Sequence, residues 1–191
     1  MPEASMARAA GRGMVEVLHA AEVAAGWHAA QRRKGDAAEP YINHLLEVAA
    51  LLGEATGGDD PALVIAGLLH DSIEDCGILH SEIEARFGAD VAALVDAVTD
   101  DKSLPKLERK RLQIEHAAEA SARAKMLKLA DKISNLRALA ASPPAGWPPA
   151  RQQEYLTWAR AVVAGTRGVN GWLEAAFDRA AAEAERKVFF L

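Results

Sequence analysis

The chain has 191 residues, 50% of them hydrophobic and 26% charged, which suits one ordinary soluble domain and excludes a catalytic unit joined to a separate regulatory module. Alanine is the commonest residue and only 5% are aromatic, a composition that favours helix and argues against disorder. With 22 basic against 27 acidic residues the net charge is -5, the wrong sign for a general nucleic-acid binder, though a local basic pocket for one small anion stays open.

Residues 1–13 are small, polar and punctuated by glycine, and are expected to form a flexible tail before a single domain over 14–191. Met14 to Ala30 carries apolar residues at helical spacing, followed by a polar loop over 31–39 that opens with Arg32, Arg33 and Lys34. Pro40 opens a helix that Gly57 and Gly58 stop, and Pro61 opens another that runs to Cys76 with Gly77 as its C-cap. Two shorter helices follow at about 79–87 and 88–98, divided at Gly88. A polar connector over 99–105 contains Asp100, Asp101, Lys102 and Ser103. Helices are then expected at about 106–117 and 121–141, a proline-rich break over 142–149, and last helices at about 150–164 and 169–187. No run alternates convincingly with period two, and nothing repeats. The fold class is all-α, one domain of about eight to nine helices.

Cys76 is the sole cysteine, so there is no intramolecular disulfide, and a reducing compartment fits. No apolar stretch approaches the ~20 residues that span a bilayer, and the N-terminus lacks the form of a secretory signal. The expectation is a cytoplasmic protein with no membrane or nucleic-acid partner, with self-association into a homo-oligomer left open.

The most informative stretch is PALVIAGLLHDSIEDC, residues 61–76. From Ala62 to Leu69 it is apolar all round, as in a central helix buried on several sides. It ends in His70, Asp71, Glu74 and Asp75, which at 100° per residue fall within about 140° of arc. Three carboxylates at a helix C-terminus oppose the helix dipole by roughly 0.3–1 kcal/mol each and repel one another. Helix stability does not account for them. Either the helix emerges into water there, or a divalent cation is bound.

Further ligands would come from elsewhere. His44 stands near the start of a helix, where a lone histidine also has a structural reading. Asp131 lies in the 121–141 helix, where Met126, Leu129, Ile133, Leu136 and Ala140 form the apolar seam. Asp131 and Asn135 share the opposite face, so periodicity alone reads Asp131 as solvated.

The order His44, 25 residues, His70-Asp71, 59 residues, Asp131 resembles the H…HD…D signature of the HD-domain metal phosphohydrolases. The segments RRKGDAAEPYINH (32–44), LLHDSIED (68–75), VTDDKSLPKLERKRLQ (98–113) and KLADKISNLRAL (128–139) narrow the likeness. They resemble the hydrolase domain of RelA/SpoT-type proteins, and most of all its stand-alone form, the small alarmone hydrolases of the metazoan SpoT-homologue type. The resemblance implies an all-helical HD fold with one Mn²⁺ per chain, Zn²⁺ and Fe²⁺ being alternatives. It implies the reaction (p)ppGpp + H2O to GDP or GTP and pyrophosphate, with no synthetase activity. Position by position it implies His44, His70, Asp71 and Asp131 as metal ligands and Glu74 and Asp75 as the acids that handle water. It further implies Arg33, Lys34, Tyr41, Lys106, Asn135, Arg151 and Tyr155 as substrate-side residues. Imidazole and carboxylate donors without sulfur suit such a metal. The Arg109-Lys110-Arg111 run is read as outward surface, and Trp147, Trp158 and Trp172 as packing. Two departures from the family pattern are Leu45, where proline usually follows the first histidine, and Cys76-Gly77, in place of a threonine-containing turn. Alternatives are an HD phosphatase for another nucleotide, such as removal of the 2′-phosphate of NADPH, and a nucleotide-binding HD module without turnover.

Overall fold

The computed structural model of the protein describes the backbone of residues 2–189 and the side chains of residues 13–188. Among the described residues there are ten helices and no strand: α1 (Pro2–Trp27), α2 (Ile42–Thr56), α3 (Pro61–Leu69), α4 (Ser72–Cys76), α5 (His80–Phe87), α6 (Ala89–Asp96), α7 (Lys106–Ala117), α8 (Ala122–Ala141), α9 (Pro149–Ala164) and α10 (Gly171–Phe189). The all-α expectation holds. Helical backbone reaches back to Pro2, into the stretch expected as a tail. Proline is tolerated in a first turn, and the helix propensity of the alanines there outweighs about 1 kcal/mol for each of Gly11 and Gly13.

Two helices organise the core. α3 is buried at every position from Leu63 to Leu69 and packs among α1, α2, α6 and α8. Gly67 lets it approach α2 closely: a Cβ there would lie 2.8 Å from Leu52 Cδ1 and 3.4 Å from the Ala49 Cα. α8 is held between α2, α9 and α10, and buries residues around most of its circumference, including Lys128, Lys132 and Ser134. The face opposite its apolar seam is therefore largely buried, with Asp131 and Asn135 partly exposed on a cavity wall. It meets the ends of α2 and α3.

The helix expected over 61–76 is in fact two, which makes the count ten. His70 Nδ1 lies 2.8 Å from the Gly67 carbonyl oxygen, which can only accept, so the ring donates to it. In an uninterrupted helix that carbonyl would take the Asp71 N–H. The backbone turns at Asp71 (φ -96°, ψ 0°), restarts as the short α4, and stops at Gly77 (φ 69°), whose N–H reaches Ile73 O. The break sets His70 and Asp71 at the mouth of the core.

The loop before α2 is strapped to the loop after α8. Isolated bridges pair Arg32 with Pro40 and Gly35 with Pro144, and Ala145 N donates to Lys34 O at 2.9 Å. Gly35 is needed for this contact, since a Cβ would lie 2.4 Å from the Ser142 carbonyl oxygen.

Candidate metal centre and substrate cleft

Three central helices deliver four of the expected residues to one point. His44 comes from the first turn of α2, His70 and Asp71 from the break after α3, and Asp131 from the middle of α8. Single donor atoms of His44, His70 and Asp131 lie within 4.8 Å of one another, close enough to hold a metal ion. Asp71 Oδ2 joins them, 3.6 Å from His44 Nε2 and 3.1 Å from His70 Nε2. Both histidine Nε2 atoms are buried and have no hydrogen-bond partner. Two such nitrogens facing two carboxylates need a positive charge between them. Without a metal that charge is a proton: burial alone would lower His70, but the neighbouring carboxylates of Asp71 and then Asp131 hold its pKa well above the imidazole range. Burial opposes ionisation of Asp71 and Asp131 too, yet His70 keeps the former, and Lys132 the latter, well below the carboxylate range. The donor set fits a divalent cation on this geometry.

The carboxylates are also held from outside. Tyr41 OH donates to Asp71 Oδ2 at 2.6 Å, and burial with the Asp71 charge pushes the phenol pKa up, so it remains a donor. Asn135 Nδ2 and Lys132 Nζ donate to the two oxygens of Asp131 at 2.6 and 2.8 Å. Lys132 lies over the Trp158 ring, 4.6 Å from its centroid.

Glu74 and Asp75 sit beside this point in different surroundings. Glu74 is half-buried, and its pKa is raised by burial, then by the charges of Asp100 and Asp71. Arg109 Nη1 approaches Glu74 Oε1 at 3.3 Å. Asp75 is tied at both oxygens, by Gln31 Nε2 and by Lys102 Nζ, each at 2.8 Å. Glu74 thus holds a proton more readily than a free carboxylate, and Asp75 is fixed in orientation by its two donors.

Two cavities of about 300 Å³ each adjoin here. One surrounds the carboxylates. The other lies between the strapped loops and is lined by Arg33, Trp147 and Ser142 among others. Lys34, Tyr41, Asn135 and Tyr155 line both. Arg33 Nη2 donates to Asn135 Oδ1 at 3.2 Å. Burial pushes the Tyr155 phenol up to about 12. Of the expected substrate-side residues, Lys106 is exposed at the start of α7 and lines neither cavity. Arg151 does not line them either, but stacks 4.5 Å above Trp147, which does.

The outward reading of the 109–111 run is corrected. Arg109 turns inward to Glu74 and Asp100, and Lys110 lies 4.9 Å over Trp158; of the three, Arg111 pairs on the surface with Glu108 and Glu115. Carboxylates draw Arg109 in, and the rings of Trp158 and Tyr155 draw in Lys110. Sequence reasoning also missed Lys128 and Lys132, buried lysines on the cavity wall. Leu45 is fully buried core, and the Cys76 thiol donates to the Trp27 carbonyl at 3.4 Å, so neither departure opens the site.

Known proteins match this arrangement. A family model described as HD domain matches residues 20–168. The guanosine-3′,5′-bis(diphosphate) 3′-pyrophosphohydrolase MESH1 of Xenopus tropicalis is 52% identical over 162 residues, 85% of this chain and 90% of that protein. The Homo sapiens protein of the same name is 49% identical over 166 residues, 87% and 93% of the two chains. A solved structure described as a metazoan orthologue of SpoT that hydrolyses ppGpp superposes with a TM-score of 0.83 at 45% identity, covering 86% of this chain and 93% of that one. The likeness carried by the four sequence segments is therefore borne out: the chain belongs to the HD-domain family and, within it, to the family of the MESH1 proteins.

Proposed function

We propose that the protein hydrolyses the 3′-diphosphate of (p)ppGpp, releasing pyrophosphate and GDP or GTP, with Mn²⁺ held by His44, His70, Asp71 and Asp131. The observation that carries the metal reading is the pair of buried, unpartnered histidine Nε2 atoms aimed at two carboxylates. Zn²⁺ or Fe²⁺ would suit the same donors. A divalent ion bound there acts as a Lewis acid on the phosphoryl group and makes water a better nucleophile.

The chain's own residues supply the rest. Glu74, with its raised pKa, moves the proton between the attacking water and the leaving group, while Asp75, fixed by Gln31 and Lys102, orients the water. Lys128, on the cavity wall and in no ion pair among the described residues, offsets the charge that develops on the diphosphate, while Lys132 and Arg109 hold Asp131 and Glu74 in place. Arg33 and Lys34 face the nucleoside end of the cleft, where a guanidinium plane can stack on a base and an ammonium can meet a phosphate. Tyr41, Asn135 and Tyr155 form the wall common to both cavities. Lys106 and Arg151 act from the rim. We assign the hydrolase unit to residues 14–191. The lone cysteine, Cys76, supports a cytoplasmic site of action. Among the described residues no helix is long and apolar enough to cross a membrane.

The test is product identity. Metal-stripped protein is given Mn²⁺ and offered ppGpp and NADPH in parallel. Mn²⁺-dependent pyrophosphate from ppGpp is expected. Orthophosphate from NADPH with ppGpp untouched would overturn the substrate while keeping the metal centre.

A further inference from the structure

His44 meets a hydrogen-bonded chain on the side away from the carboxylates. Its Nδ1 lies 2.8 Å from Ser134 Oγ, Ser134 Oγ lies 2.7 Å from Glu47 Oε2, and Arg137 Nη1 lies 2.8 Å from Glu47 Oε1. His44 and Glu47 are three residues apart on α2, and Ser134 and Arg137 three apart on α8, so one turn of each helix faces the other. His44 and Ser134 are buried, whereas the Arg137–Glu47 pair reaches the surface, with side chains 45% and 34% exposed.

The chemistry of the partners fixes the direction of every bond. Burial would raise Glu47, but the Ser134 hydrogen bond and Arg137 hold its pKa below the usual range, so it is a carboxylate and only accepts. The single hydroxyl proton of Ser134 goes to Glu47. Ser134 Oγ can then only accept from His44, so the proton of the neutral ring sits on Nδ1. That leaves Nε2 bare, and Nε2 is the atom 3.4 Å from Asp131 Oδ1 and 3.6 Å from Asp71 Oδ2. His70 has its Nδ1–H held differently, by the Gly67 carbonyl, which no side-chain substitution removes.

We propose that Ser134, Glu47 and Arg137 are positioning residues that hold His44 as its Nδ1–H tautomer and aim Nε2 at the metal position, so that metal affinity is tuned from an ion pair at the surface. The inference rests on His44 being a metal ligand. Outer partners of this kind change metal affinity by about 10–100-fold when removed.

The experiment uses the full chain, stripped of metal and labelled with ¹⁵N-histidine. Long-range ¹H–¹⁵N spectra in alkaline buffer report the tautomer, and competition with a chelating dye reports Mn²⁺ affinity. The wild type should show His44 as Nδ1–H. Ser134→Ala should lose that preference and weaken Mn²⁺ binding about 10–100-fold, with the His70 signals unmoved. Ser134→Thr, which restores a hydroxyl, should recover most of the affinity. Glu47→Ala, at a partly exposed position, should weaken binding in the same direction and carries the test if Ser134→Ala does not fold. Mn²⁺ affinity within twofold of wild type in Ser134→Ala and Glu47→Ala, alongside a His44→Ala that has lost binding, would overturn the relay alone. A His44→Ala protein that binds Mn²⁺ like the wild type would overturn the ligand reading and the relay with it.

Discussion

Gly35→Ala tests whether the strapped loops form the nucleotide cleft. The new Cβ would stand 2.4 Å from the Ser142 carbonyl oxygen and 2.5 Å from its hydroxyl, with the Ser142 Cβ at 3.0 Å. Non-bonded carbon contacts settle near 3.5–4.0 Å, so the two loops must part by about 1 Å. The Ala145 N to Lys34 O bond, now 2.9 Å, would then lie beyond hydrogen-bond range, and the weaker Ala37 N to Ser142 Oγ contact at 3.4 Å would go with it. One to two net hydrogen bonds correspond to about 1–2 kcal/mol. Neither loop belongs to the core around α3 and α8, so the loss should fall on binding. KM for ppGpp should rise about 5–30-fold with kcat nearly unchanged and Tm within a few degrees. Steady-state kinetics and a melting curve check it. An unchanged KM would refute the reasoning, and a large fall in kcat at unchanged KM would mean that the strap supports the reacting groups instead.

Other substitutions separate the remaining parts. Asp71→Ala should abolish Mn²⁺ binding measured by metal analysis of the dialysed protein; full metal content would show that the ligand set is wrong. Glu74→Gln should keep the metal and lower turnover about 10²–10⁴-fold, a range that near-normal activity would exclude. Lys128→Met should stabilise the metal-free protein at neutral pH while slowing hydrolysis. Burial beside Lys132 lowers the Lys128 pKa, so between the folded value and the unfolded 10.5 the unfolded chain binds more protons; wild-type stability therefore rises with pH across that window, and the advantage of the variant should shrink as denaturation is followed upward toward pH 10.5.

How much of this was legible depended on whether a residue's oddity showed on its own helix. His70, Asp71, Glu74 and Asp75 stand out in the sequence because carboxylates at a helix C-terminus oppose the dipole, although the structure places Glu74 and Asp75 in the first turn of α4 instead. Their helix still broke at Asp71, because a histidine ring took a backbone carbonyl, a competition that spacing does not reveal. Asp131 was misplaced by the wheel. A wheel assumes that the face opposite the apolar seam is wet, and in α8 much of that face is buried too, Lys128, Lys132 and Ser134 included. The same assumption sent Arg109 and Lys110 outward and hid Lys128 and Lys132. Only the likeness to a family placed Asp131 with the histidines. Glu47 and Ser134 gave no signal, since their meaning lies in a contact between α2 and α8, 87 residues apart in the chain.

The charges around the cleft bear on why an anion is the expected occupant. The protein is net negative, yet it collects cations here, and most already face a carboxylate: Lys132 with Asp131, Lys102 with Asp75, Arg109 with Glu74. These pairs hold the acids in place more than they leave charge free for a ligand. Lys128 differs. It is only 9% exposed, lines the cavity around the carboxylates, and pairs with no carboxylate within 4.0 Å among the described residues. A buried ammonium that contacts no carboxylate is costly to the fold, even with the charges of Asp100, Asp131 and Glu74 nearby. Retaining one on the wall next to Glu74 makes physical sense if a phosphate oxygen supplies the missing charge during turnover. On the proposed function, a diphosphate oxygen would supply that charge and relieve the tension at Lys128.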